Sequence, residues 1–191
     1  MNLKNSMILA NMMSSKKEKT LNLVSVGGAT YDSNYIFEND GSNKFFETLD
    51  KISFSTNDEF VIKVKFFITQ NQNNGIFRSY DLNHYSGEFG IFNNNKDILS
   101  VMSTYVYQGT FYTNVWINCL IEHKKSEDTL HYVVVDENNI KYVENNMRVS
   151  SSKDLTGKYK FGSYNNDHNI YGKIDFKETD IIINGQSVLW V

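Results

Sequence analysis

From Leu21 onward apolar and polar residues alternate with the two-residue period of strands, not the period of a helix. In Glu59–Ile68 the residues Phe60, Ile62, Val64, Phe66 and Ile68 share one face, with Lys63 and Lys65 on the other. Val115–His123 repeats the pattern with Val115, Ile117, Cys119 and Ile121. Leu130–Val135, Lys158–Tyr164, Ile170–Phe176 and Thr179–Ile183 continue it. Turn-forming stretches punctuate these runs: Asn74-Gly75, Ser86-Gly87, Gln108-Gly109, Asp136–Asn139, Thr156-Gly157 and Asn184-Gly185. Asn184-Gly185 stands between Ile181–Ile183 and Val188–Trp190, which predicts a tight terminal hairpin. Many short strands at this spacing, with no long helical pattern after residue 20, predict an all-β chain, an antiparallel β-sandwich or jelly roll. No repeat or linker divides it, so residues 26–191 are expected to form one domain.

Residues 1–25 stand apart. Leu3, Met7, Ile8, Leu9, Met12 and Met13 precede the charged run Lys16-Lys17-Glu18-Lys19. The apolar stretch is short, is broken by Asn11 and lacks a small-residue cleavage site, so a secretory signal is not expected. It reads either as a frayed or briefly helical tail or as an arm docking on another subunit, which would give its apolar side chains a partner.

Composition narrows the picture without naming a function. The chain has 191 residues, 40% hydrophobic and 14% aromatic, enough for a self-sufficient core and unlike a disordered chain. A net charge of -3 lacks the basic footprint of a nucleic-acid binder. No apolar run approaches the roughly 20 residues of a membrane-spanning helix. A single cysteine, Cys119, excludes an intramolecular disulfide and a four-cysteine zinc site. Its place in an apolar strand predicts a small buried hydrophobe. The absence of proline, the 25 asparagines and the 17 lysines against 2 arginines follow the codon usage of an AT-rich genome. Asn71–Asn74 and Asn93–Asn95 are therefore read as ordinary turns.

Candidate chemistry is sparse. His84, His123, His131 and His168 lack the spacing of a metal site, and His123 and His131 are expected to face each other across the Lys124–Thr129 hairpin. The aromatic stretches carry more. Tyr105–Tyr112 puts four aromatics around a turn, and Tyr80, Asp81, His84 and Tyr85 lie in another loop. The C–H faces of sugar rings stack on tyrosine and tryptophan, while nearby Asn and Asp bond the hydroxyls. Tyr80, Asp81, Tyr85, Tyr105, Tyr107 and Tyr112 are therefore candidate glycan-binding or interface residues, with core packing as the plain alternative.

The C-terminal third carries a resemblance. Gly172-Lys173-Ile174-Asp175-Phe176 leads through Thr179 to Ile181-Ile182-Ile183-Asn184-Gly185 and closes on Trp190. This resembles the ending of concanavalin A-like (laminin-G-like) domains in structural proteins of tailed bacteriophages, with Phe176 in place of their usual leucine. Phe161-Gly162-Ser163-Tyr164 resembles the strand preceding it in that family. Trp116 with its following alternation, Thr129–Val135 and Asp136–Asn139 resemble its tryptophan strand, hairpin and turn. Glu59–Ile68 with Gly75-Ile76-Phe77 resembles its early strand pair.

The resemblance implies a non-catalytic virion structural protein, either a tail-fibre or baseplate appendage or a capsid-surface decoration. It would sit on the virion after assembly in the host cytoplasm, contacting other virion proteins through the N-terminal arm. A homo-oligomer and host-surface glycans as ligands go with that reading. The alternative is a carbohydrate-binding module or lectin of bacterial origin. No cofactor is implied except calcium, which relatives of the fold hold at a sandwich rim; Asp81, Asn83, Glu88 and Asn165–Asp167 are the oxygen-rich stretches. A third reading is a glycoside hydrolase, because the same sandwich hosts glucanases with a carboxylate trio alternating on one strand. Asp175, Glu178 and Asp180 split between two faces, so no catalytic residue is expected.

Overall fold

The computed structural model describes residues 19–53, 55, 57–70, 72–80, 90–93, 98–101, 104–108, 113–125, 127, 129–148, 157–165 and 168–191. Among these every regular element is a strand. The first eight are β1 (Leu23–Val26), β2 (Ile36–Asp40), β3 (Phe45–Thr48), β4 (Phe60–Ile68), β5 (Asn74–Tyr80), β6 (Gly90–Asn93), β7 (Ile98–Val101) and β8 (Thr104–Gln108). The long central strands follow: β9 (Trp116–His123), β10 (Thr129–Asp136) and β11 (Lys141–Arg148). The chain ends through β12 (Lys158–Phe161), β13 (Ser163–Asn165), β14 (His168–Asn169), β15 (Tyr171–Asp175), β16 (Asp180–Ile183) and β17 (Gln186–Ser187).

The strands form two large antiparallel sheets and a small third one in which β13 pairs with β14. One large sheet runs β1-β3-β12-β5-β6-β7-β8; the other runs β11-β10-β9-β4-β15-β2, with β16 also on β4 and β17 closing on β16. The alternation explains the layering. Phe60, Ile62, Val64, Phe66 and Ile68 of β4 are all buried, as are Ile117, Cys119 and Ile121 of β9. From the other sheet Phe46, Phe77, Tyr159 and Phe161 meet them. Phe37 of β2 and Phe46 of β3 touch edge-on across the layers, with ring centroids 5.3 Å apart. Phe176 packs 5.3 Å from Phe46 and 5.7 Å from Phe161. Burial pushes the Cys119 thiol up to about 12, so it is the small core residue expected.

The C-terminal motif has a physical account. β4 is shared by two partners, β15 along Phe66–Ile68 and β16 along Phe60–Lys63. At the gap between them, buried Thr179 accepts the Lys65 backbone N–H on its Oγ1 at 3.1 Å. Gly172 lies so close to β4 that a Cβ there would stand 1.8 Å from the Phe67 carbonyl oxygen. Asn184 and Gly185 have φ of 49° and 80°, as a two-residue type I′ turn requires.

Some turns and boundaries differ from expectation. The strand returning from Asn184-Gly185 is Gln186–Ser187, after which Trp190 leaves to pair with Leu21. Asn74-Gly75 is no turn but the start of β5: Asn74 is wholly buried, so its side chain serves tertiary bonding. Gly157 pairs with Ile52 instead of turning. Asp136–Asn139 is a turn as expected, capped by Asp136 Oδ1 accepting the N–H groups of Asn138 and Ile140 at 2.9 and 2.8 Å. The sandwich takes in the chain from Leu21, which is buried, and β1 pairs with β3. The boundary expected at residue 25 thus falls inside the first strand, because Leu21 and Leu23 supply apolar side chains to the core.

Candidate functional site

The outward face of the β9-β4-β15-β2 region is where strand order assembles residues far apart in sequence. Glu38, Lys173, Phe67 and Trp116 stand in register across β2, β15, β4 and β9. Cross-strand neighbours on one face are close enough to interact. The Trp116 and Phe67 rings lie 5.4 Å apart, and Lys173 Nζ sits 3.3 Å from Glu38 Oε2. Beside this row Lys65 Nζ pairs with Asp175 Oδ2 at 3.4 Å and lies 5.5 Å from the Trp116 ring centre. The backbone of Trp116 is held from both sides: its N–H donates to Glu137 Oε1 at 3.3 Å, and its carbonyl accepts the Glu137 N–H at 2.9 Å.

The loop preceding β2 completes a cleft. Asp32 Oδ1 accepts the N–H groups of Asn34 and Ile36 at 2.8 and 2.9 Å, folding the loop back on itself. Tyr31 is 41% exposed yet anchored, its ring stacked on Tyr35 at 5.2 Å and tilted against Phe46 at 5.6 Å. The cleft, of about 450 Å³, is lined by Tyr31, Asp32, Ile36, Glu38, Trp116 and Lys173, with Thr30 at its margin. It combines a half-buried indole, carboxylates and an ammonium group. That set can stack on the flat C–H face of a sugar while bonding its hydroxyls.

Of the residues singled out from sequence, Tyr80, Tyr105 and Tyr107 belong to strands of the other sheet. Tyr80 ends β5, while Tyr105 and Tyr107 lie on β8, the sheet's edge strand, whose pairing with β7 carries a register shift. Two strands intervene, which sets β5 and β8 about 14 Å apart. The stretch from Tyr105 therefore begins as strand, not as loop. Asp81, Tyr85 and Tyr112 lie outside the described residues, as do Asn83, Glu88, Asn166 and Asp167 of the calcium stretches. Among the described residues no group of three His, Cys, Asp or Glu is placed to hold a metal.

The histidine pairing is corrected. His123 pairs with Leu130, and His131 pairs with Glu122. Register therefore sends the two rings to opposite faces. His123 is buried and stacked on Phe60 at 5.0 Å, its nitrogens 2.8 and 2.9 Å from the carbonyl oxygens of Asp58 and Glu127. His131 faces out between Glu122 and Glu144, at 3.5 and 3.3 Å. The acidic stretch is also distributed. Asp175 ends β15 in its pair with Lys65, whereas Asp180 opens β16 and accepts Ser187 Oγ–H at 2.8 Å. Burial raises the Asp180 carboxyl above the usual range.

In the sequence Trp116 reads as a fold marker, and no local pattern marks Tyr31, Asp32, Glu38 or Lys173 as site residues. One signal was present: Phe67 occupies the polar phase of β4, in step with Lys63 and Lys65.

No protein-family model matches the chain, and no curated protein does. Solved structures do. Peanut lectin, solved with a nine-residue peptide, superposes with a TM-score of 0.59 at 10% identity, over 84% of this chain and 90% of that one. Arcelin-5, a lectin-like defense protein from Phaseolus vulgaris, gives 0.56 at 13% identity over 84% and 91%. Basic winged bean lectin with Tn-antigen gives 0.53 at 17% identity over 80% and 89%. The chain thus has the concanavalin A-like β-sandwich fold expected from its C-terminal motif.

Proposed function

We propose that this chain is a non-catalytic carbohydrate-binding module of lectin-like type, with the Trp116 cleft as its sugar site. The observation carrying this reading is the half-buried Trp116, fixed at its backbone and bordered by Lys65, Lys173, Glu38 and Asp32. The lectins among the solved structures of this fold support it as analogy. Of the acidic stretch Asp175, Glu178 and Asp180, Asp175 pairs with Lys65 and Asp180 accepts from Ser187, so the stretch assembles no carboxylate pair in the cleft. The virion setting is a separate proposal that rests on the sequence motif alone.

Binding to a glycan array, followed by titration of the best sugar, tests the reading. Trp116→Ala should weaken binding about tenfold or more, the loss of a central aromatic anchor. Trp116→Phe should retain part of it. Melting curves on both variants separate lost stacking from lost folding. An array without a saturable sugar, or undiminished affinity in a folded Trp116→Ala protein, would overturn the assignment. Alanine variants of Tyr105, Tyr107 and Tyr112 in the same titration test the aromatic stretch as the competing site.

A further inference from the structure

Resting on that reading, we infer that the sugar site does not end at Glu38 but continues along β2, so that the ligand is a linear chain of several sugars bound lengthwise. A second cleft, of about 360 Å³, opens on the other side of Glu38. Glu38 lines both clefts, and its side chain is 66% exposed. The Glu38–Lys173 ion pair therefore forms a low divide, not a wall. Ile36, Glu38 and Asp40 recur at every second position of β2 and so share its outward face. The strand from Ile36 to Asp40 runs about 13 Å, longer than a single pyranose ring.

The second cleft repeats the chemistry of the first. Tyr171 supplies a half-buried aromatic, with Asp40, Lys44 and Gln70 as the polar groups around it. Its walls are set in place by Asn74. That side chain is wholly buried, accepts the Tyr171 N–H at 2.7 Å and donates to the carbonyl oxygens of Gln70 and Gln72, both at 2.9 Å. A single buried amide thus ties two residues of the cleft together ahead of any ligand, which lowers the ordering cost of binding. A site for one terminal sugar would need only the Trp116 end. Two similar clefts sharing one residue on one strand fit an internal stretch of a polysaccharide.

The test is a titration ladder running from monosaccharide to hexasaccharide, using chito-, cello-, malto- and xylo-oligosaccharides with wild type, Trp116→Ala and the double variant Lys44→Ala/Gln70→Ala. Wild type should bind one series with affinity rising about tenfold or more with chain length and then levelling off. The double variant should flatten that rise, while Trp116→Ala should weaken every member of the series. Equal affinity for the shortest and longest members, or an undiminished rise in the double variant, overturns the extended groove while leaving the sugar site standing. No binding to any of these series overturns the extended groove, and silence on the glycan array as well overturns both.

Discussion

Two torsion angles at Asn184 and Gly185 show how much a single residue can carry here. Asn184 turns the chain at positive φ, and its side chain also accepts the Glu59 N–H at 3.1 Å and donates to Asp58 Oδ1 at 3.0 Å. Asn184→Ala should cost about 1–2 kcal/mol, from backbone strain and the lost bonds, and lower Tm by several degrees. It should also alter the pH profile. Hydrogen bonding, first from Asn184, holds the Asp58 carboxyl below its ordinary value. A carboxyl held low in the folded state stabilises the fold at pH above its ordinary value, and that contribution is lost as pH falls through the lowered one. Stability should therefore decline on acidification below about pH 4, and less steeply in Asn184→Ala. Parallel Tm profiles for the two proteins across that range would contradict the role given to this bond.

At the scale of elements, the partition of β4 between β15 and β16 organises both fold and site. Gly172 permits the close approach that puts Lys173 opposite Phe67. Gly172→Ala must push β15 off β4, and we expect a loss of about 3 kcal/mol in denaturant unfolding together with weaker sugar binding, since the Glu38–Lys173–Phe67–Trp116 row would shear. A variant as stable as wild type would show that the sheet absorbs the methyl group. Period-two alternation made the strands legible in the sequence, because inward and outward faces differ in polarity over β4, β9 and β10. The terminal turn was legible because few residues accept its torsions. Asn74 was not: buried asparagines and turn asparagines look alike in a chain with this many of them. Nor was the cleft, whose residues at 31, 38, 116 and 173 meet only through strand order, which no local pattern encodes. The aromatic stretch from Tyr105 was visible for the opposite reason, since its residues are contiguous.

At the scale of the whole molecule, the two layers enclose a shared aromatic core, and the chain joins them from Leu21 onward. Removal of residues 1–18 should leave a cooperatively folding domain with unchanged Tm, whereas removal of residues 1–26 deletes β1 and buried Leu21 and should cost several kcal/mol. Circular dichroism melts of the two truncations distinguish these outcomes; equal stability would place Leu21 and β1 outside the folding unit. The first also separates the sandwich from whatever the preceding segment does, including any docking on a larger assembly.

The pairing of Leu21 with Trp190 has a topological consequence. Thr20 and Val191 exchange backbone hydrogen bonds at 2.8 and 3.1 Å, so the thread enters and leaves the sandwich at one doorway. Such a fold can be re-cut: a short splice joining residue 191 to residue 19 would move the opening to the exposed residues Glu137–Asn139 without stretching any strand. The same doorway lets the whole sandwich be seated as an insert in the loop of another protein, entering and leaving at neighbouring points.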